Sequence, residues 1–265
     1  MKKCLVMHNT GLGDYILMSG AVRHLLSSYE EVHLVVVLRN LKNVSFLYRD
    51  EPRIVIIEEK NPQSAHHGQL MARTHAKKYR EEGNDALVFF WARMNHWTGH
   101  IKAMGLDPSN NNWCEAFYKG LNISYSERYN SFYIKRDLEQ EELVYERVVD
   151  NFGPNYSFVV DTTKRGVRAI CISDDENTVN PRYCKVPTLL FDWMTVIERA
   201  SMIHTVDTSY MHLIKQMRLK DKDQLKFFHR YARDCPGTNG DYINDNWDDG
   251  WIDLKDKGQI VCLEE

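Results

Sequence analysis

Residues 31–38 read EVHLVVVL, and this run restricts the fold more than any other stretch of the chain. A strand with one solvated face alternates apolar and polar residues. A nearly unbroken β-branched run instead marks a strand buried on both faces, the signature of a parallel sheet covered by helices. RIVIIEE at 53–59 repeats the signal, as do the short CLVM run ending at His8 (a strand over 4–8) and DALVFFWA at 85–92. Between them lie helical patterns. One covers 14–28, with Ile16, Leu17, Val22, Leu25 and Leu26 on its apolar side; a more polar one covers 64–83. Strand, helix and strand at this spacing predict right-handed crossovers and a parallel sheet.

The alternation resumes after NISYSERYNSFYIKRD, which reads as a joint near 130–137. A helix is predicted over 138–151, then strands at 156–161 and 168–173, a helix at 189–200, the strand MIHTVD and the helix SYMHLIKQM. LKFFHRYAR follows, and from about 235 a Trp-rich polar tail shows no clear periodicity. The expected fold class is α/β, with two Rossmann-like lobes over 1–133 and 134–265, a cleft between them, and a small second lobe.

The bulk numbers exclude several classes. Net charge is −3, so no global positive field argues for nucleic acid. No stretch approaches the roughly 20 apolar residues of a membrane-spanning helix. The N-terminal apolar run is too short for a signal peptide and lacks a small-residue cleavage site. Six scattered cysteines without a C-x-x-C pair point to reduced thiols and a cytoplasmic setting.

HNTGLGDYILMSGAVRHLL, from His8 to Leu26, joins the first strand to the first helix. Its glycines permit a tight turn and leave helix N–H groups open to an anion or a hydroxyl. The spacing is G-x-G-D, not G-x-G-x-x-G. The second strand runs into Arg39 with no terminal acid, so a dinucleotide site is poorly supported. No G-K-[ST] follows either. Asp14 stands at the helix start, where a carboxylate serves either as a cap or as a general base at the carboxyl edge of the sheet. Thr10, Gly11, Leu12 and Gly13 form the expected acceptor-side loop.

Three further stretches carry chemistry. In MIHTVDTSYMHLIKQM a buried strand ends at Asp207, and Thr208 and Ser209 open a helix with His212 one turn in. Free N–H groups and hydroxyls at a helix start suit a phosphate, although Ser and Thr are also ordinary caps and His212 an ordinary packed histidine. In VVDTTKRGVRA a strand ends at Asp161, and the turn then offers Lys164 and Arg165 to a leaving diphosphate, or to solvent. In FFHRYARD, His229 and Arg230 alternate with aromatics, as a second cationic contact or as an edge strand with solvent-facing charges. The acidic pairs Asp174-Asp175 and Asp248-Asp249 show no spaced D-x-D, and His66, His67 and His75 lack H-x-x-x-H spacing, so no metal is expected. No serine-hydrolase signature is present.

Taken together, TGLGDYILMSGAVRHL (10–25) resembles the first loop and helix of heptosyltransferase-type glycosyltransferases, family nine, of bacterial or viral type. HTVDTSYMHLIKQM (204–217) resembles the donor-contacting segment of their C-terminal lobe. The resemblance implies the two-lobed GT-B fold and transfer of a sugar, with inversion and without metal or cofactor, from a nucleotide-diphosphate-sugar donor to a glycan or other hydroxyl acceptor. It implies a base or acceptor-anchoring role for Asp14. Donor contacts fall to Asp207, Thr208, Ser209 and His212, and Lys164 and Arg165 steady the diphosphate. The aromatics of FFWARMNHW (89–97) are candidates for stacking on the acceptor. The chain departs from the family in a trimmed second lobe and in Ser209, where a glycine is common. A non-catalytic nucleotide- or glycan-binding module is the alternative from another class. An NAD(P)-linked Rossmann enzyme ranks third.

Overall fold

The computed structural model describes residues 2–8, 11–59, 74–88, 113–161, 177–184, 188–206, 208–219, 225–229 and 251–254. The chain divides into two compact units, Met1–Lys135 and Arg136–Glu265.

In the first unit, strands β1 (Lys3–Met7), β2 (Glu31–Val37), β3 (Ile54–Glu59) and β4 (Asp85–Val88) form one sheet in the order β3-β2-β1-β4. Every pairing is parallel, with Lys3 opposite Glu31, Cys4 opposite Asp85 and Val32 opposite Ile54. The β-branched run at 31–37 therefore lies inside a parallel sheet, as its composition demands. Leu5, Met7, Val35 and Ala86 pack with Ala76 of α3 (residues 74–81) into one buried cluster. The helix predicted over 64–83 is described only over 74–81.

Helix α1 (Leu12–Leu25) is buried along most of its length, from Tyr15 through Val22 and again at Leu25. It is enclosed by α2 (Leu41–Leu47) and by two helices that the sequence pattern did not reveal, α4 (Trp113–Gly120) and α5 (Glu127–Asn130). The Tyr118 hydroxyl of α4 donates to the Leu17 carbonyl at 2.7 Å. Helix α5 comes so close that a Cβ on Gly20 would lie 2.1 Å from the Glu127 carbonyl oxygen. Beside it, Arg128 is fully buried, donates to the Tyr125 hydroxyl and lies over the Tyr125 and Tyr129 rings. On the other flank, the Arg23 guanidinium forks onto Asp50 at 2.7 and 3.0 Å and reaches the Leu47 carbonyl at 2.9 Å, tying α1 to the end of α2.

The second unit holds β5 (Ser157–Val160), β6 (Thr178–Val179), β7 (Met202–Thr205), β8 (Leu225–His229) and β9 (Trp251–Leu254), all parallel, in the order β6-β5-β7-β8-β9. Two sequence readings are corrected here. The segment carrying His229 is not an edge strand: β8 runs between β7 and β9, and Lys226 is buried with its ammonium on the Leu219 carbonyl at 2.7 Å. The tail contributes the outer strand β9, too short to announce itself through periodicity. The strand predicted at 168–173 lies outside the described residues.

Helix α6 (Leu138–Phe152) starts at Asp137, whose carboxylate accepts from the Gln140 N–H at 3.2 Å. The helix predicted over 189–200 is a 3-10 turn (Leu190–Trp193) running into α7 (Met194–Arg199). A buried network joins α6 to α7. The Arg136 guanidinium donates to Glu141 at 2.9 Å, to Glu198 at 2.7 Å and to the Thr195 hydroxyl at 3.1 Å, and that hydroxyl donates to Glu141 at 2.8 Å. These carboxylates hold Arg136 firmly in its charged form. Helix α8 (Ser209–Met217) follows β7, as predicted.

The contact at Gly20 generates a direct expectation. Gly20→Ala forces α5 away from α1 and lowers stability by about 2–3 kcal/mol, the usual scale for an overpacked core, read as a lower denaturation midpoint in urea. An unchanged midpoint would show that the two helices separate without penalty.

Candidate functional site

An open parallel sheet binds ligands outside the carboxyl ends of its strands, where the strand order reverses. In the first unit that point lies between β1 and β4; in the second it lies between β5 and β7. Each falls where a sequence motif leaves its strand. The first motif follows β1, the Lys164-Arg165 turn follows β5, and the Thr208 motif follows β7.

In the first unit, helix α1 starts earlier than predicted. Gly11 is its N-cap, so Leu12 and Gly13 belong to the first turn and not to the loop. The cause is Asp14. Its carboxylate reaches back to accept the Gly11 N–H at 3.0 Å, and the Asp14 and Tyr15 N–H groups return to the Gly11 carbonyl at 3.1 and 3.4 Å. A Cβ on residue 11 would stand 2.5 Å from that carboxylate oxygen. A side chain at residue 11 would have to displace the Asp14 carboxylate from the place it takes in this cap. Asp14 thus has a local structural role as the reciprocal partner of the helix cap. Thr10 lies outside the described residues.

His8, directly after β1, is buried, and its ring lies 4.6 Å from that of Tyr15. Tyr15 donates its hydroxyl to the Val35 carbonyl of β2 at 3.0 Å. Burial, with help from the nearby Asp14 charge, pushes that hydroxyl above its ordinary pKa.

In the second unit the ladder between β5 and β7 continues past their ends, the Val206 N–H donating to the Val160 carbonyl at 3.2 Å. Asp161 therefore emerges beside the segment that leads into α8. It is buried and accepts from the Asn180 side chain at 2.7 Å. Thr208 is the N-cap of α8 but not through its hydroxyl: Oγ1 makes no cap bond, is buried and has no hydrogen-bond partner among the described residues. A buried hydroxyl left open at a helix start is a costly arrangement in a molecule without a ligand. His212 is buried one turn in, its N–H on the Thr208 carbonyl at 3.3 Å. Ser209 is the first helical residue. Lys164, Arg165, Asp207 and Arg230 lie outside the described residues, and His229 ends β8, the next strand beyond β7.

His8 and Asp161 are absent from the sequence-based site. Both are single polar residues that terminate an apolar strand, the first strand of each unit, and that break in pattern was the available signal. Among the described residues, no group of three or more His, Cys, Asp or Glu is placed to hold a metal ion, and no helix is long and apolar enough to cross a membrane. The pairs Asp174-Asp175 and Asp248-Asp249, His66 and His67, and the 89–97 aromatics lie outside the described residues.

No protein-family model and no curated protein matches the chain. Among solved structures it is similar to the crystal structure of the glycosyl transferase family 9 from Veillonella parvula DSM 2008. The superposition has a TM-score of 0.53 and 10% identity, over 97% of this chain and 88% of that one. The chain has a family 9 glycosyltransferase fold. At this identity the likeness is one of fold, and it agrees with the family to which the two motifs point.

Two outcomes follow from the local geometry. Asp14→Ala removes the cap and costs about 1 kcal/mol of stability, whereas Asp14→Asn keeps an oxygen for the Gly11 N–H and loses only a fraction of that; thermal denaturation of both variants checks it. On β7, burial pulls the His204 pKa down from 6.5 to about 4. The unfolded chain then binds a proton that the folded chain refuses, so this contribution is complete above pH 6.5 and is lost as pH falls towards 4. His204→Leu flattens the melting temperature across that window.

Proposed function

We propose that the protein is a glycosyltransferase of the GT-B type. It transfers a hexosyl or pentosyl group from a nucleotide-diphosphate-sugar to a hydroxyl of a glycan or related acceptor, with inversion, without a metal, and in the cytoplasm. The observation that carries this reading is a coincidence of position. In a chain with the family 9 fold, each of the two motifs leaves its sheet at the strand-order reversal.

In this mechanism the first unit binds the acceptor through the Thr10–Gly13 segment, and Asp14 removes the proton of the attacking hydroxyl. The oxygen attacks the anomeric carbon, and the bond to the diphosphate breaks. Charge develops on the leaving oxygen, so stabilisation belongs there. The second unit supplies it with the open N–H groups at the start of α8, the Thr208 and Ser209 hydroxyls, and Lys164 and Arg165. Asp207, His212, His229 and Arg230 complete the donor contacts. The unpartnered Thr208 hydroxyl supports this assignment, because a phosphate oxygen would satisfy it.

A second reading has its own observation. Asp14 is already occupied as a helix cap, which suits a nucleotide- or glycan-binding module that performs no transfer. Asp14→Asn separates the two, since it preserves the cap and removes the base. The expected result is donor binding as in the parent and turnover lower by about 10²–10⁴-fold, the usual worth of a positioned base. The assay is release of nucleoside diphosphate from a panel of nucleotide sugars in the presence of mixed glycan acceptors. Undiminished turnover in the Asn variant rejects the base assignment. Binding with no turnover in the parent, across the panel, favours the binding module.

A further inference from the structure

The turn that follows β6 has no role in the scheme above, yet it stands at the same sheet edge. Residues 180–184 read NPRYC, and Asn180 organises all of them. Its carbonyl accepts the Tyr183 and Cys184 N–H groups at 3.0 and 3.1 Å, and its side-chain oxygen accepts the Arg182 N–H at 3.0 Å. Its side-chain N–H₂ donates to Asp161 at 2.7 Å. The turn is therefore locked to the buried carboxylate at the strand-order reversal. On this turn Tyr183 is 61% exposed, one of the few large apolar side chains left in solvent among the described residues.

Its position relative to the candidate phosphate site follows from the sheet. Strands β6, β5 and β7 are consecutive neighbours, and strands lie about 4.8 Å apart, so β6 and β7 are about 10 Å apart across the sheet, and the segments that follow them share its carboxyl edge. Tyr210, in the first turn of α8, packs on Phe158 of β5 with ring centroids 5.6 Å apart, which ties the start of that helix to the strand beside β6. A turn two strands away from a candidate diphosphate site is on the scale of the nucleoside attached to that diphosphate.

We propose that the Asn180–Cys184 turn is the nucleoside-reading element of the donor site, with Tyr183 stacking on the nucleobase and the Asn180–Asp161 hydrogen bond setting the position of the ring. The inference rests on the glycosyltransferase reading, in that it assigns the donor to the second unit. Tyrosine suits the task because it offers a large flat face at a low entropic cost, and every base presents a π-face to it. Asp161 acts through Asn180 and is a positioning residue.

The test is calorimetric binding of UDP, ADP, GDP and CDP, of the corresponding nucleotide sugars, and of inorganic pyrophosphate to the full chain and to Tyr183→Ala, Tyr183→Phe and Asn180→Ala. Stacking of a base is worth about 1–3 kcal/mol, so Tyr183→Ala should weaken the nucleoside diphosphates about 5–150-fold. Pyrophosphate binding should stay unchanged, and Tyr183→Phe should restore affinity. Asn180→Ala should weaken the nucleoside diphosphates selectively, again sparing pyrophosphate. Equal affinity of parent and Tyr183→Ala for every nucleoside diphosphate overturns the proposal while leaving the glycosyltransferase reading intact. So does a loss confined to the nucleotide sugars, which would place the ring on the sugar instead. Failure of the parent chain to bind any nucleotide removes the reading and the proposal together.

Discussion

Helix α1 can sit where it does only because residue 20 has no side chain. Backbone of α5 occupies the volume that a Cβ would need, and the Tyr118 hydroxyl holds the Leu17 carbonyl one turn earlier. Arg23 binds the far end to Asp50 and the Leu47 carbonyl. A helix fixed at its middle and its end has a fixed beginning. That beginning is where Gly11 and Asp14 interlock. The first candidate site thus depends on packing about two turns away, and the position of Asp14 is set by groups outside that site.

The second unit reaches a similar result by another route. Its first strand ends in a buried acid, Asp161, and the ladder to β7 continues one residue beyond the strands. This delivers the start of α8 and the turn after β6 to one edge of one sheet. In both units a polar residue closes the first strand and a helix start stands beside it. The two units vary one local design. The acid belongs to the helix itself at Asp14, whereas at α8 the helix start is left open and the acid lies on the neighbouring strand.

Much of this was legible in the sequence because the parallel sheet writes itself in β-branched runs. EVHLVVVL and RIVIIEE have no other physical use, and the helices between them follow from spacing. The motifs could be placed on strand ends for the same reason. What escaped was short or non-periodic. Helices α4 and α5 lie in a stretch rich in Tyr, Ser and Asn, where propensity is weak and tertiary packing decides. Strand β9 has four residues in a polar tail. Helix α1 starts two residues before the sequence pattern predicts because its cap is reciprocal: G-L-G-D has the composition of a loop, and the helix begins within it where the Asp14 carboxylate turns back on Gly11. Asp161 was passed over because a single acid at a strand end has no spacing to mark it; its partner Asn180 lies 19 residues on.

The junction between the units holds one more consequence. Arg49 donates two hydrogen bonds to the Lys135 carbonyl, at 2.7 and 3.1 Å, fastening the last residue of the first unit. The next residue, Arg136, is fastened by Glu141, Glu198 and Thr195 of the second. The chain changes allegiance within a single residue. A glycine- or serine-rich connector would behave as a random coil, with an effective length that grows with the number of its residues. Here there is no such length. No connecting residue stands between the carbonyl held by the first unit and the guanidinium held by the second.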